Sequence, residues 1–384
     1  MVSTDDRMPT LGVEEEYFLV HADTGAVAEG GTRVLARARA VSGELISGEL
    51  TEYQIEAKTR PCTTAAELIG QLTRMRAVTA AAAGAEGLRI VASGTPIVGA
   101  REPVPIRDDP RYLDGLEEFR ALNDSYAVCA MHTHVHVPVR AEAVLVSNHL
   151  RPWLPILVAM AANSPYWAER DSGYASWRTL AGSRWPVAGP PPYFSSEDHY
   201  DRLAEVLGEA GATLGARTLF WDVRPCAHLP TVEIRAMDVG ADVEETAVFA
   251  ILVRALVVRA LERVRRGDPG PLLSDALLRA AYWRAARDGW SGRGLDVRDH
   301  RLVPMTDLVR QLVAYVRPVL VEYGELSLVI RVLRDRAGRG GGAERQRAAF
   351  ARRADLRDVV DHLADHTTGS KPPTHATPAA ARSR

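Results

Sequence analysis

Between Cys129 and Val139 the chain reads CAMHTHVHVPV, with histidines at 132, 134 and 136 separated by Thr133 and Val135. A two-residue period marks a β-strand, because side chains at i, i+2 and i+4 of a strand point to one face. His132, His134 and His136 therefore share one face, and Thr133, Val135 and Val137 pack on the other. At a rise of ~3.3 Å per residue the outer imidazoles stand about 13 Å apart, too far for one ion to bind both, whereas neighbouring pairs can chelate. Two readings follow: a half-buried strand whose histidines are hydrogen-bonded, and one wall of a binding site.

Other strands offer the same kind of face. In VEEEYF, Glu14 and Glu16 lie on one side about 6.6 Å apart and Glu15 on the other. Three successive glutamates cost β-propensity and call for compensating cations. In TVEIRAMDV, Glu233 and Arg235 are cofacial, and Asp238 is one residue out of register. In WDVRP, Asp222 and Arg224 alternate with apolar residues, a pattern equally served by cross-strand ion pairs worth ~0.2 to 1 kcal/mol each. In the stretch ELTEYQIEAKT, Glu52 and Glu56 share a face, and Glu49 joins them only through a bulge. Scattered carboxylates suit magnesium with substrate phosphates. Zinc prefers three or four grouped nitrogen and sulfur ligands, and no HExxH or CxxC is present.

Around these strands the sequence alternates between helix and strand signals. Thr64 and Glu67 form a capping box for a helix over 65–86. LRIVASG reads as a short strand, residues 110–122 as a helix, and 141–162 as helical with Pro152 and Pro155 starting or kinking it. The stretch 164–194 is rich in Gly, Pro and aromatics, too irregular for a regular element and too aromatic for disorder, so it reads as an ordered loop covering substrate. A helix at 197–215 leads into strands over 218–225 and 230–239. Segments 241–266, 271–288, 304–322, 325–337 and 343–364 carry helical periodicity. The expected organisation is one α+β domain over 1–366, with an antiparallel sheet, a helical layer and a largely helical C-terminal half, followed by a disordered tail over 367–384.

Composition excludes several alternatives. No run approaches the ~18 to 20 apolar residues of a membrane span, and the acidic N-terminus does not read as a signal peptide. Three dispersed cysteines, Cys62, Cys129 and Cys226, fit a reducing cytoplasm. Of the 47 basic residues only Lys58 and Lys371 are lysine, and neither follows a glycine, which excludes a P-loop. No GxGxxG opens a helix after a strand. Acidic residues balance the arginines throughout, so no nucleic-acid partner is expected.

Taken together, TLGVEEEYFLV, EYQIEAKT, CAMHTHVHV, RDSGYASWR with GPPP, the pair WDVRP and TVEIRAMDV, and GGGAERQR resemble the glutamate–cysteine ligase type 2 family, also called YbdK-type carboxylate-amine ligases. They span residues 10 to 350 in the family's order. The resemblance implies a glutamine-synthetase-like antiparallel sheet forming the active-site cavity, and ATP bound through Mg2+. It implies magnesium ligands at Glu14, Glu16, Glu56 and Glu233, with Glu49 as an addition. His132 and Arg235 are implied catalytic contacts, Arg224, Arg345 and His134 nucleotide contacts, and Arg170 and Arg178 substrate contacts. The implied reaction joins glutamate to cysteine or another amine through a γ-glutamyl phosphate. A homo-oligomer is a further expectation. Where the family pattern reads CGMHVHVGV, this chain has Ala130, Thr133 and His136, and an imidazole at 136 would take space from a ligand. The rival readings are an Mg-ATP guanidino phosphotransferase and a zinc hydrolase built on the histidine strand.

Overall fold

The computed structural model describes residues 8–215 and 218–369. In chain order its elements begin with β1 (Leu11–His21), α1 (Gly31–Ser42), β2 (Ile46–Gly48), β3 (Gln54–Lys58), α2 (Ala65–Gly84), β4 (Leu88–Val91), α3 (Pro110–Phe119) and β5 (Ala130–His136). Then come α4 (Arg140–Leu150), α5 (Leu154–Ala161), the small hairpin β6 (Tyr166–Trp167) and β7 (Arg170–Asp171), α6 (Trp177–Gly182), α7 (Glu197–Glu209), β8 (Val223–Pro225) and β9 (Thr231–Asp238). The C-terminal part holds α8 (Val243–Val264), α9 (Asp275–Asp288), β10 (Arg293–Asp296), β11 (Arg301–Pro304), α10 (Met305–Glu322), α11 (Leu326–Arg339), α12 (Gly342–Phe350) and α13 (Leu356–Thr368).

Seven strands form one sheet in the order β2-β3-β1-β5-β9-β8, with β4 alongside the end of β1. Every named pairing is antiparallel, and β1 is the organiser. Its first half pairs with β5, its second half with β4, and its other edge with β3. One face of the sheet is apolar: Val13, Met131, Val135, Val232 and Ile234 are buried in a core shared with α4, α5 and α8. The register puts Glu14 beside His132 and Lys58, Glu16 beside Glu56, and His134 beside Glu233, all on the opposite face. The expected alternation of the histidine strand is therefore present, with its apolar side inward.

Local signals explain the helices. Thr64 accepts from the Glu67 N–H while the Glu67 carboxylate accepts from the Thr64 N–H, the capping box expected for α2. At the start of α8 the Asp242 carboxylate accepts from the Glu245 N–H, a simple N-cap. Pro155 lies in the first turn of α5, where a missing N–H costs nothing, and α4 and α5 meet at a bend of 71°. Among the described residues no single helix is long and apolar enough to cross a membrane.

Four expectations need correction. The strand expected over 218–225 is confined to Val223–Pro225. The helix expected over 197–215 ends at Glu209. The helix expected over 343–364 is two, α12 and α13, broken by a turn in which Ala354 takes φ 55° and Asp355 caps the next helix. The hairpin of β10 and β11 was not foreseen, because GRGLDVRDHRLVP carries only four-residue strands on either side of a polar turn. Helix α13 continues to Thr368, past the expected start of the tail, and residues 370–384 lie outside the described residues.

Candidate active site

The polar face of the sheet carries two groupings, one neutralised and one not. At its β9 side, Glu233 is held from both ends: Arg224 Nε donates to Oε2 at 2.8 Å, and Arg235 Nη1 donates to Oε1. Arg224 and Glu233 are register partners across β8 and β9, so the cross-strand ion pair weighed for WDVRP is present. In the middle, His132 Nδ1 lies 3.2 Å from Glu14 Oε2, His132 Nε2 lies 3.7 Å from Glu16 Oε1, and His134 Nε2 lies 3.7 Å from Glu14 Oε2. At the β3 side, Ser47 donates to Glu56 at 2.5 Å, and Lys58 Nζ stands 2.8 Å from Glu56 and 3.4 Å from Glu14.

Glu16, Glu49 and Glu56 can each offer an oxygen within 4.8 Å of the others. Glu16 is met by the Ala130 N–H at 2.7 Å, yet no arginine or lysine is paired with Glu16 or Glu49 among the described residues. Burial and the charges of Glu49 and Glu56 push the Glu16 carboxyl well above its ordinary range. Burial also raises Glu49. Burial and the Glu14 charge lift Glu56 to about 8 even with Lys58 beside it. Glu14 behaves oppositely: burial works upward, but hydrogen bonds from His132 and His134 outweigh it and hold the carboxyl well below its usual range. Glu233 is likewise lowered, because Arg235 and Arg224 overcome its burial. Burial and Arg235 push His132 down to about 4, leaving it neutral, whereas the Cys226 thiol, Glu14 and Glu233 overcome burial and lift His134 to about 10.

This face opens into a cavity of about 830 Å³ whose sheet wall presents Glu16, Glu49, His132, Arg224 and Arg235. The aromatic stretch expected to cover substrate does line it: Arg178, Leu180, Trp185 and Pro190 face the cavity. Trp185 is fixed by edge-on contacts with Phe119, Tyr126 and Phe220. On α9, Arg279, Tyr282 and Trp283 complete the rim.

Of the expected residues, Glu16, Glu49, His132, Arg178, Arg224 and Arg235 line the cavity, Glu14, Glu56, Glu233 and His134 lie on the same sheet face without lining it, and the exceptions have physical reasons. Arg178 reaches the cavity, but its Nε donates to Asp238 at 2.7 Å and its Nη2 to the Ala236 carbonyl, so it braces the loop against β9. Arg170 sits exposed in the β6–β7 hairpin opposite Trp167 and does not line the cavity. Arg345 does not line it either: both terminal nitrogens donate to Glu245 at 2.6 Å behind the sheet. His136 is exposed at the end of β5 and takes no ligand space, contrary to expectation. Glu52, whose parity suggested a shared face with Glu56, instead accepts from the Thr32 N–H and hydroxyl, because the turn before β3 resets the alternation. Glu49, just past the end of β2, is the one that joins the cluster.

Sequence reasoning missed Lys58, Asp222 as a cavity residue, and Arg279. The parity signal for Lys58 was available, since it lies two residues beyond Glu56 on the same strand. Arg279 is exposed and comes from a helix whose sequence gives no sign that it faces the sheet.

The metal groupings are rich in oxygen, with at most one histidine in each, so the zinc hydrolase loses its basis. An antiparallel sheet presenting buried carboxylates and arginines to a cavity under an aromatic loop defines an ATP-dependent ligase that forms a C–N bond, and comparisons with known proteins agree. A family model described as Glutamate-cysteine ligase family 2 matches residues 10–362, and the chain belongs to that family. A protein of Mycolicibacterium vanbaalenii provisionally named glutamate–cysteine ligase 2-2 is 44% identical over 360 residues, covering 94% of this chain and 98% of that one. One of Saccharopolyspora erythraea, provisionally named glutamate–cysteine ligase 2-1, is 42% identical over 356 residues, covering 92% of this chain and 93% of that one.

Solved structures share the fold. A bifunctional glutathione synthetase from Pasteurella multocida superposes with TM-score 0.69 at 13% identity, covering 94% of this chain and 52% of that one. A glutamate–cysteine ligase from Francisella tularensis, in complex with AMP, superposes with TM-score 0.67 at 12% identity, covering 94% of this chain and 89% of that one.

Proposed function

We propose that the protein activates the γ-carboxylate of glutamate with ATP and joins it to an amine, with cysteine as the expected acceptor and Mg2+ held by Glu16, Glu49 and Glu56. The observation that carries this reading is the cluster of three carboxylates, Glu16 and Glu56 buried and Glu49 half-buried, without a paired arginine at one wall of the cavity. Hard oxygen donors with raised pKa values are what a magnesium site offers before it is filled. The ion supplies charge neutralisation at the triphosphate.

The protein's own residues do the rest. Arg235 is oriented by Glu233 with its guanidinium at the cavity wall, placed to meet the γ-phosphate as negative charge spreads over it. His132, neutral and anchored on Glu14, leaves a ring nitrogen near Glu16 to receive or orient a ligand. Arg279 on the rim has no ion-pair partner among the described residues and is available to a substrate carboxylate. The glutamate γ-oxygen attacks the γ-phosphorus, ADP leaves, and the amine then displaces phosphate from the acyl phosphate as it loses a proton. Leu180, Trp185 and Pro190 shield that intermediate from water. The two buried free cysteines, Cys62 and Cys129, are consistent with the reducing cytoplasm expected from the sequence.

The test is to incubate the protein with Mg-ATP, glutamate and a panel of amines, measuring ADP and identifying amides by mass spectrometry. ADP release should require both a carboxylate and an amine. Release with one substrate alone, yielding a stable phosphorylated product, would instead favour a phosphotransferase.

A further inference from the structure

Lys58 stands where a divalent cation would be expected. Glu14, Glu56 and His132 form one of the three groupings whose donor atoms lie within 4.8 Å of one another, and the Lys58 ammonium bridges its two carboxylates, 2.8 Å from Glu56 Oε2 and 3.4 Å from Glu14 Oε1. The position is set by the fold, because Lys58 is the register partner of Glu14 on β3. It is also chemically selective. In a chain with 47 basic residues and only two lysines, a compact ammonium on a flexible stem occupies this gap rather than a planar guanidinium.

The three groupings are thus differently compensated. In the group of Glu14, His134 and Glu233, both oxygens of Glu233 are taken by Arg224 and Arg235. In the group of Glu14, Glu56 and His132, Lys58 supplies the positive charge. Only the group of Glu16, Glu49 and Glu56 has two carboxylates with no paired arginine or lysine among the described residues. We infer that Lys58 is a resident cation that occupies the Glu14–Glu56 metal position in the free enzyme, so that a divalent ion binds first at Glu16, Glu49 and Glu56 and a second must displace the ammonium. With about a third of its side chain exposed, Lys58 has a path outward to solvent. This rests on the magnesium reading proposed above and adds to it an order of filling and a positioning residue.

The experiment uses Mn2+ as the probe, with free ion followed by electron paramagnetic resonance in a titration of the nucleotide-free protein. Wild type should show one tighter and one weaker class of site. Lys58→Met should tighten the weaker class by about tenfold or more and leave the tighter one in place, whereas Lys58→Arg, which keeps the positive charge in a bulkier planar group, should not tighten it. Superposable curves for wild type and Lys58→Met, or tightening in Lys58→Arg as well, overturn the inference. No Mn2+ bound by either wild type or Lys58→Met overturns the magnesium reading itself.

A second measurement needs no variant. Lys58 and Lys371 are the only lysines, so brief acetylation with peptide mass spectrometry reports Lys58 against Lys371 as reference. Saturating Mn2+ should raise the relative labelling of Lys58 severalfold. Unchanged or reduced labelling contradicts displacement.

Discussion

Glu15 and Glu16 are consecutive, both buried, and placed on opposite faces of the same strand, yet their surroundings differ in kind. Behind the sheet, Glu15 accepts from Arg76 Nε at 3.1 Å, from the Tyr17 hydroxyl at 2.5 Å and from Thr246 at 2.9 Å. Arg76 in turn donates to the carbonyls of Gly240, Ala241 and Thr367. In front, Glu16 has one backbone N–H, the neutral His132 ring at 3.7 Å and two carboxylate neighbours. A buried charge whose partners are all supplied by the protein is a structural joint. One left short of positive charge is a binding site waiting for its ion, and the two faces of β1 show both cases one residue apart.

The sharpest way to break this contrast is to neutralise each glutamate or its partner. Glu16→Gln should lower turnover by about 10²- to 10³-fold while leaving the metal-free protein folded and no less stable, since it removes repulsion. Steady-state kinetics with thermal melts check both halves; a collapse of the melt would make Glu16 structural. Arg76→Met should do the reverse, costing ~3–5 kcal/mol in urea unfolding by stranding Glu15. Adding Glu15→Gln should recover part of that loss, and a silent Arg76→Met would show that the back-face pair is not structural.

The pH response separates the faces further. Glu16, Glu49 and Glu56 have folded-state pKa values above those of an unfolded chain. Their contribution to stability is complete at low pH and is lost as pH rises, for Glu56 through about 8. Glu14 and Glu233 are lowered, so what they contribute is lost only as pH falls below the ordinary carboxylate range. The Tm of metal-free protein should therefore decline from about pH 5 to about pH 8, and saturating Mg2+ should flatten that decline. A metal-free Tm that rises across this window contradicts the assignment. The smallest effect is expected at His136→Gly: with the imidazole exposed at the end of β5, the profile of accepted amines should not change.

The strands were legible because burial on one face imposes a two-residue period, and parity placed Glu14 with Glu16, His132 with His134, and Glu233 with Arg235 within their own strands; that the three sets share one face was implied by the resemblance and is set by the register. Glu49 could not, since the turn between β2 and β3 breaks the count, and only the fold shows that Glu52 turns toward Thr32 instead. Asp238 looked out of register because the pairing of β5 with β9 shifts between Met131 and Thr133; it is a buried hub binding Arg178, Ser164 and Ser176. Arg345 was carried to the nucleotide by its place in a motif, but its partner Glu245 lies a hundred residues away and no local pattern points to it. In a chain this rich in arginine, pairing partners rather than the arginines themselves separate structural from functional ones.

The central claim is that a carboxylate oxygen attacks ATP at this face of the sheet. It is tested most directly with glutamate labelled with ¹⁸O in its γ-carboxylate, incubated with protein, Mg-ATP and an accepted amine. An acyl phosphate requires one labelled oxygen to leave with each inorganic phosphate released, which mass spectrometry of the phosphate will show. Phosphate released without label during amide formation would mean that no such bond forms, and would contradict the account.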